Sequence, residues 1–177
     1  MSLIVETGAG IEGAESYASI AQIDAYWAAR THQAASTSWA AATTGLKEGA
    51  AREATAFLDA TYGPYYRGTR TGYLQGLLWP RSGTEDVDGY ALPDLPTQLV
   101  SATAELAVRA LVGALMPDAT IDGTIKSFSE TIGPLSETTV YQDGASAAPR
   151  YGFLQGLMAA LCDGTQPGFN KPNWAWR

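Results

Sequence analysis

The sequence is short of the side chains that most metal and nucleophilic chemistry requires. It has one cysteine, Cys162, and one histidine, His32, in 177 residues. A single cysteine excludes an intramolecular disulfide framework and a multi-cysteine zinc site, and a single histidine removes most metallohydrolase and triad mechanisms. No enzymatic reaction is therefore favoured by the residues present, and no metal or cofactor is expected.

Positive charge and long apolar runs are also scarce. There are 11 Lys and Arg against 18 Asp and Glu, for a net charge of −7. Strong nucleic-acid binding neutralises phosphates with Lys and Arg, so a globally basic nucleic-acid binder is not expected. No apolar run approaches the roughly 18 residues of a membrane span, and the first residues do not resemble a signal peptide.

What the chain does have is enough apolar residues for a packed core, since hydrophobic residues make up 46% of it. Their spacing predicts a mainly α fold, a small helical bundle of about four helices with one β-hairpin and extended N- and C-terminal arms. We expect one helical domain at residues 1–163, with the hairpin near 121–142, and an aromatic C-terminal docking tail at 164–177.

The helices are expected to bury apolar faces of different widths. Ser16 or Ser19 could cap the first, which ends near Arg30, and the others are predicted at about 45–62, 96–115 and 149–164. The third is apolar nearly all round, which is typical of a central helix, and residues 31–43 form an Ala-, Ser- and Thr-rich stretch. The predicted inward residues of the first two helices are Ile20, Ile23 and Trp27, and Leu46, Ala50, Ala54, Phe57, Leu58 and Thr61.

Two loop motifs each have a functional and a structural interpretation. Residues 8–13 spell G-x-G-x-x-G after an apolar segment, but the second strand and acidic residue of a dinucleotide site are missing, which favours a flexible glycine loop. Residues 84–89 resemble the start of a calcium loop, but Thr84 and Leu95 stand where charged oxygen ligands belong. A solvated acidic turn is the better interpretation.

A long connection at 63–96 combines arginine with aromatic residues. Between Thr61 and Gly83 there are three arginines and no acid. Exposed residues of these two kinds can stack on bases and contact phosphates, and they are also enriched at protein–protein hot spots. Three arginines give only a shallow salt-dependent affinity, so a protein interface is favoured over a nucleic-acid groove. The residues concerned are Arg67, Arg70 and Arg81 with Tyr62, Tyr65, Tyr66, Tyr73 and Trp79.

The end of the chain makes a second candidate docking element. It is basic and aromatic, with two prolines that favour an extended backbone. Exposed tryptophans are costly unless a partner buries them. Its candidate contact residues are Phe169, Lys171, Trp174, Trp176 and Arg177.

Several segments resemble one phage family. The opening 3–8 and 14–17, the first-helix segment 25–30 and the segments 54–59, 66–70 and 96–107 are similar to it, and Leu78–Gly83 followed by 88–90 is the most specific part. The chain resembles the head–tail connector, or adaptor, proteins of long-tailed phages. That family often carries the label DnaT-like single-stranded-DNA-binding protein.

The resemblance implies a structural virion protein of the neck between capsid and tail, assembled in the host cytoplasm. Such adaptors form a homo-oligomeric ring, usually of twelve subunits, that docks under the portal protein, links it to a stopper or tail-completion protein and lets DNA pass. We expect Tyr66, Arg67, Arg70, Trp79 and Arg81 to meet the portal or a neighbouring subunit, and the tail to insert into a groove on the portal or the next ring. The alternative function is single-stranded-DNA binding.

Overall fold

The computed structural model describes residues 2–86, 88–116 and 151–163, and the backbone of strands between residues 125 and 141. The chain divides into two compact units, one of Met1–Leu115 with Tyr151–Arg177 and one of Met116–Arg150. The described helices belong to the first unit. They are α1 (Ile20–Ala28), α2 (Ala34–Ala41), α3 (Thr44–Tyr62), α4 (Thr97–Ala110) and α5 (Gly152–Met158), and a 3-10 turn, Gly63–Tyr65, follows α3.

The mainly helical class is confirmed, with five described helices in place of about four. The unexpected helix is α2, in the stretch of small residues. Trp39 is fully buried there, and its indole Nε1 donates to the Asp24 carboxylate at 2.7 Å. One aromatic anchor thus fixes a helix that has almost no apolar periodicity.

Helix boundaries follow local capping chemistry. Ser19 caps α1 by accepting a hydrogen bond from the Gln22 N–H, and the Gln22 side chain accepts from the Ser19 N–H in return. This capping box selects Ser19 over Ser16 as the start of the helix. Three of the predicted helices are longer than the observed ones. The first ends at Ala28 and not near Arg30, and the third ends at Ala110 and not near 115, because a turn follows each of them. The fourth spans Gly152–Met158, which is shorter at both ends than the predicted 149–164.

The core of the first unit is built around α4, which packs against α1, α2, α3 and α5. The predicted central position of this helix is therefore confirmed. Ile23, Trp27, Phe57 and Leu58 are buried as expected. Leu46 is exposed, contrary to the predicted inward face, since it lies in the first turn of α3 before that face meets α4.

The second unit contains paired strands at the predicted hairpin. β3 (Ile125–Phe128) pairs antiparallel with β6 (Thr139–Tyr141), and β4 (Thr131–Ile132) pairs antiparallel with β5 (Leu135–Ser136). Ile132 is the partner of Leu135, and these two residues flank the position where the sequence predicts the turn. The register shifts between Ile125 and Ser127.

The N-terminal segment is attached to the rest of the first unit through its backbone. Val5 bridges Ser16 in parallel, and the Glu6 N–H donates to the Ser16 carbonyl at 2.9 Å. These contacts join the two ends of the glycine loop, so the predicted N-terminal arm is part of the packed fold. Among the described residues, no helix is both long and apolar enough to cross a membrane.

Candidate functional site

The arginine- and aromatic-rich connection, residues 63–96, is an ordered loop that packs on the core. Two short strands, β1 (Thr69–Arg70) and β2 (Arg81–Ser82), pair antiparallel within it. The Arg81 guanidinium donates to the carbonyls of Arg67 and Gly68, both at 2.6 Å. Arg81 therefore joins the two sides of the loop. Burial lowers the pKa of its guanidinium, and the nearby tyrosines oppose this effect.

Arg67 has a similar structural role at the base of the loop. Its side chain donates to the carbonyls of Cys162 and Glu85 and forms an ion pair with Asp163 at 3.0 Å. The Arg67 N–H also donates to the Leu161 carbonyl. These contacts attach the loop to the segment after α5, so the cation is already engaged inside the chain.

We expect Tyr66 and Trp79 to meet the portal or a neighbouring subunit, but both rings are buried in this structure. They pack edge to face, with ring centroids 6.0 Å apart. The Tyr66 hydroxyl and the Trp79 indole N–H make no hydrogen bond within the described part of the chain. Neither ring presents a face to a base or to a partner in this conformation, because both rings are buried in the hydrophobic core under the loop.

A buried polar group holds the second half of the loop. The Asp59 carboxylate of α3 accepts hydrogen bonds from the Tyr17 hydroxyl at 2.6 Å and from the Leu78 N–H at 3.1 Å. The Tyr17 hydroxyl in turn accepts a hydrogen bond from the backbone N–H of Trp79 at 3.2 Å. Burial raises the pKa of Asp59, opposed by these hydrogen bonds, and burial with the neighbouring carboxylate raises the pKa of Tyr17 well above its ordinary value.

Gln75 fixes the turn that leads to the outermost part of the loop. Its side-chain amide donates to the carbonyls of Leu77 and Pro80 and accepts from the Gly72 N–H. Gly76 lies directly on the glycine loop, where an added Cβ would be 2.6 Å from the Ala14 nitrogen. Only glycine fits at this approach, so the turn is held in place on both sides.

Three exposed side chains project from this fixed base, and we call Arg70, Tyr73 and Leu74 the loop tip. Tyr73 is 89% exposed and Leu74 is 65% exposed. The Arg70 side chain is exposed and makes no hydrogen bond or ion pair among the described residues. Leu74 was not singled out from the sequence; a large apolar residue between Gly72 and Gly76 is the signal that could have identified it.

Arg70 stands apart from the other cations of the described chain. Each of the remaining described Lys and Arg side chains contacts an acid or a backbone carbonyl. Within this part of the molecule, Arg70 is thus the cationic side chain that has no such contact. The engaged side chains are Arg30, Lys47, Arg52, Arg67, Arg81 and Arg109.

The glycine loop at 8–13 is ordered by an internal anion. The buried Glu6 carboxylate accepts hydrogen bonds from the N–H groups of Thr7, Gly8, Gly10 and Ile11 at 2.8–3.0 Å. Convergent N–H groups of this kind form an anion-binding nest. The Glu6 carboxylate occupies the position that a phosphate would take. Because these four hydrogen bonds order the loop, the prediction of a flexible loop is wrong.

The remaining candidate groups have local structural roles. Asp86 accepts hydrogen bonds from the N–H groups of Asp88 and Tyr90, which closes the acidic turn. The described residues contain no cluster of three potential metal ligands. His32 is exposed, and Cys162 is buried as predicted, with burial raising its pKa to about 12.

The predicted tail residues Phe169, Lys171, Trp174, Trp176 and Arg177 lie outside the described residues. Their expected contact with a partner stays a prediction.

Comparison with known proteins gives one match. The family model described as "Putative DnaT-like ssDNA binding protein" matches residues 1–173, nearly the whole chain. No curated protein and no solved structure match the chain. The comparison therefore names single-stranded DNA and gives no support of its own to a head–tail connector.

Proposed function

Because the chain belongs to the family of putative DnaT-like single-stranded-DNA-binding proteins, its function must be sought among proteins that carry this label, and we propose that it is a structural docking protein of the head–tail adaptor type. In this proposal the loop tip contacts another protein of the assembly, either the portal or a neighbouring subunit. The ring, the link to a stopper or tail component and the passage of DNA follow from the resemblance to adaptors.

The observation that carries the proposal is the exposure of Tyr73 and Leu74 on a turn whose base is fixed. The backbone of a turn with a fixed base loses little conformational freedom when the side chains on it bind, which favours a protein contact. Arginine and tyrosine are enriched among the residues that dominate such interfaces. Arg67 and Arg81 bind the chain's own carbonyls, so they support the tip and do not serve as contacts.

The charge of the molecule agrees with this function. The net charge of −7 and the pairing of the other described cations leave an acidic surface. DNA phosphates are repelled by such a surface, which suits a protein that lets DNA pass without holding it.

The test is the copy number of the chain in purified virions, measured by quantitative mass spectrometry against the portal protein. We expect a ratio near one to one for the wild type. A Tyr73→Ala variant should fall about 30-fold or more in occupancy at limiting concentration, since truncating an interface hot spot costs about 2 kcal/mol or more. The matched control is Tyr90→Ala, because Tyr90 is also exposed, at 73%, but lies outside the tip.

Two outcomes would overturn the proposal. One is the absence of the chain from the particle. The other is normal incorporation of the Tyr73→Ala variant, since the tip would then not be the contact.

Single-stranded-DNA binding is the second candidate, and the family match favours it over the adaptor function. In this case Arg70 would contact a phosphate and the Tyr73 ring would stack on a base. With one free arginine at the tip, the logarithm of affinity should fall by only about 0.7 per decade of salt. Fluorescence anisotropy with an oligothymidine at graded salt measures both affinity and slope.

The informative variants are Arg70→Ala and Tyr73→Ala, with Tyr90→Ala as the control. Both should weaken binding if the tip holds DNA, and Arg70→Ala should also remove the salt dependence. Substituting Arg67 or Arg81 would confuse the result, because each holds the loop together. Absence of binding at low salt would dismiss this candidate and leave the adaptor function in place.

A further inference from the structure

A second apolar feature lies at the other side of the first unit. An open groove of about 460 Å³ runs between the end of α1, the start of α2 and the end of α4. Trp27, Val108 and Val112 are the large apolar residues of its lining. Val112 is 87% exposed, so the lining reaches the surface. A volume of this size accommodates a few side chains of a partner.

The groove and the loop tip lie at opposite ends of α4. An added Cβ at Gly8 would be 3.0 Å from the Cβ of Asp94, just before α4 begins, and the Gly76 N–H beside the tip donates to the Ile11 carbonyl of the same glycine loop. The groove is lined instead by Val108, Arg109 and Val112, at the end of α4. The 14 residues of α4 separate the two features by about 20 Å at 1.5 Å per residue.

One chain does not fill its own groove with its own tip, because both are fixed to the core near opposite ends of α4. A protruding apolar element at one end and an apolar groove at the other are the requirements of a head-to-tail contact between copies. Such a contact repeats from copy to copy and generates a ring when the rotation closes.

We propose that the loop tip of one copy, through Tyr73 and Leu74, inserts into the groove beside Val112 of the next copy. This names the partner of the tip and rests on the docking function proposed above. In this contact the Tyr73 ring meets the apolar lining of the groove. The Arg109 guanidinium, which also lines it, is already paired with Glu105 and stacked on the Phe153 ring, with its Cζ 4.2 Å from the ring centroid.

The size of the contact predicts how it behaves. An aromatic residue buries roughly 150–250 Å² and a stable interface about 1,200–2,000 Å². A tip of one tyrosine and one leucine is therefore too small for a stable pair of copies. The pair forms transiently, and closing a ring adds a second such contact to each subunit.

Cysteine cross-linking detects a transient contact of this kind. One full-length protein carries Tyr73→Cys and another carries Val112→Cys; the native Cys162 is buried and does not compete. When the two are mixed under mild oxidation, we expect a disulfide-linked heterodimer about tenfold faster than with Tyr90→Cys in place of Tyr73→Cys, because the contact raises the effective concentration of the two thiols. A chain with both cysteines should form a ladder of multimers.

Complementation of blocked surfaces gives an independent readout. A Tyr73→Ser/Leu74→Ser variant keeps its groove, and a Val112→Glu variant keeps its tip. Each alone should fail to self-associate in sedimentation velocity at high concentration, while the mixture should form dimers and nothing larger. Circular dichroism and melting of each variant show that it is folded, which is expected because the substituted side chains are exposed.

Several results would overturn the inference. Cross-linking no faster than the control means that the tip does not enter the groove. Rapid homodimers of the Tyr73→Cys protein alone indicate a tip-to-tip contact instead. If the tip variants lose incorporation into virions while the Tyr73→Cys and Val112→Cys proteins cross-link no faster than the control pair, the docking function stands with a different partner, and this inference alone fails.

Discussion

The Tyr17 hydroxyl donates a 2.6 Å hydrogen bond to the buried Asp59 carboxylate and accepts one from the backbone N–H of Trp79. Three segments that are distant in sequence meet at these two side chains: the turn before α1, the end of α3 and the base of the loop tip. The exposed candidate site therefore depends on a buried polar pair.

Replacing Tyr17 with phenylalanine removes both hydrogen bonds while keeping the ring. The Trp79 N–H and one Asp59 oxygen are then left without this partner in the interior, which costs about 1–3 kcal/mol for a group left unsatisfied. We expect a lower free energy of unfolding in urea by at least this amount. Tyr73→Phe is the control and should leave stability unchanged, since that hydroxyl is in solvent.

How far the sequence predicts this arrangement depends on what each residue contacts. The periodic faces of α3 and α4 are visible in the sequence because burial of a helix face repeats every 3.6 residues. The direction of Trp79 or Tyr66 is not, since an aromatic residue in a loop can turn inward or outward without changing the pattern. Asp59 likewise looks like a surface acid of a helix, and only the approach of Tyr17 and Leu78 gives it a buried role.

The same argument explains the corrected candidate site. The arginines of the loop were recognised by composition, and composition does not show that Arg81 reaches the carbonyls of Arg67 and Gly68. The loop tip remains the candidate because the Tyr73 side chain is 89% exposed.

The pH dependence of the free energy of unfolding should reveal the raised pKa of the buried Asp59 carboxylate. Burial raises the pKa of Asp59 above the roughly 3.9 of an unfolded aspartate. Folding therefore favours the protonated form, so the stabilisation from proton uptake is fully present below the unfolded pKa and is lost as pH rises through the folded pKa. Glu15 contributes to the pH dependence of stability in the opposite sense. Its hydrogen bond with Arg52 lowers its pKa, so its stabilising effect is lost as pH falls.

Comparison with an Asp59→Asn variant isolates this group from the other carboxylates. The free energy of unfolding of the wild type minus that of the variant should increase as pH is lowered from about 7 to about 4, since only the wild type takes up the proton. Urea titrations at several pH values measure the difference. A flat or decreasing difference would show that the Asp59 pKa is not raised.

Steric constraint predicts opposite effects for two glycine substitutions. A Cβ at Gly76 would lie 2.6 Å from the Ala14 nitrogen, whereas a Cβ at Gly49 in α3 meets nothing within 4 Å. Gly76→Ala should destabilise the fold and displace the loop tip, and Gly49→Ala should stabilise the helix by about 1 kcal/mol through helix propensity. Melting temperatures of the two variants test the pair, and equal shifts would mean that the loop does not pack closely on Ala14.

The glycine loop should depend on the charge of Glu6. Four backbone N–H groups donate to its carboxylate. In Glu6→Gln one oxygen is replaced by an NH₂ group that faces these donors, so both the charge and one acceptor are lost. Hydrogen bonds to charged groups contribute about 1.5–3 kcal/mol, and we expect destabilisation of that order in urea unfolding.

Hydrogen exchange locates this effect. The amides of Thr7, Gly8, Gly10 and Ile11 should exchange faster in Glu6→Gln, while those of α3 keep their protection relative to global stability. Glu12→Gln is the matched control, because Glu12 lies in the same loop but is exposed and makes no hydrogen bond among the described residues. Equal loss of protection in the two variants would contradict the assignment of Glu6 as the anion that orders the loop.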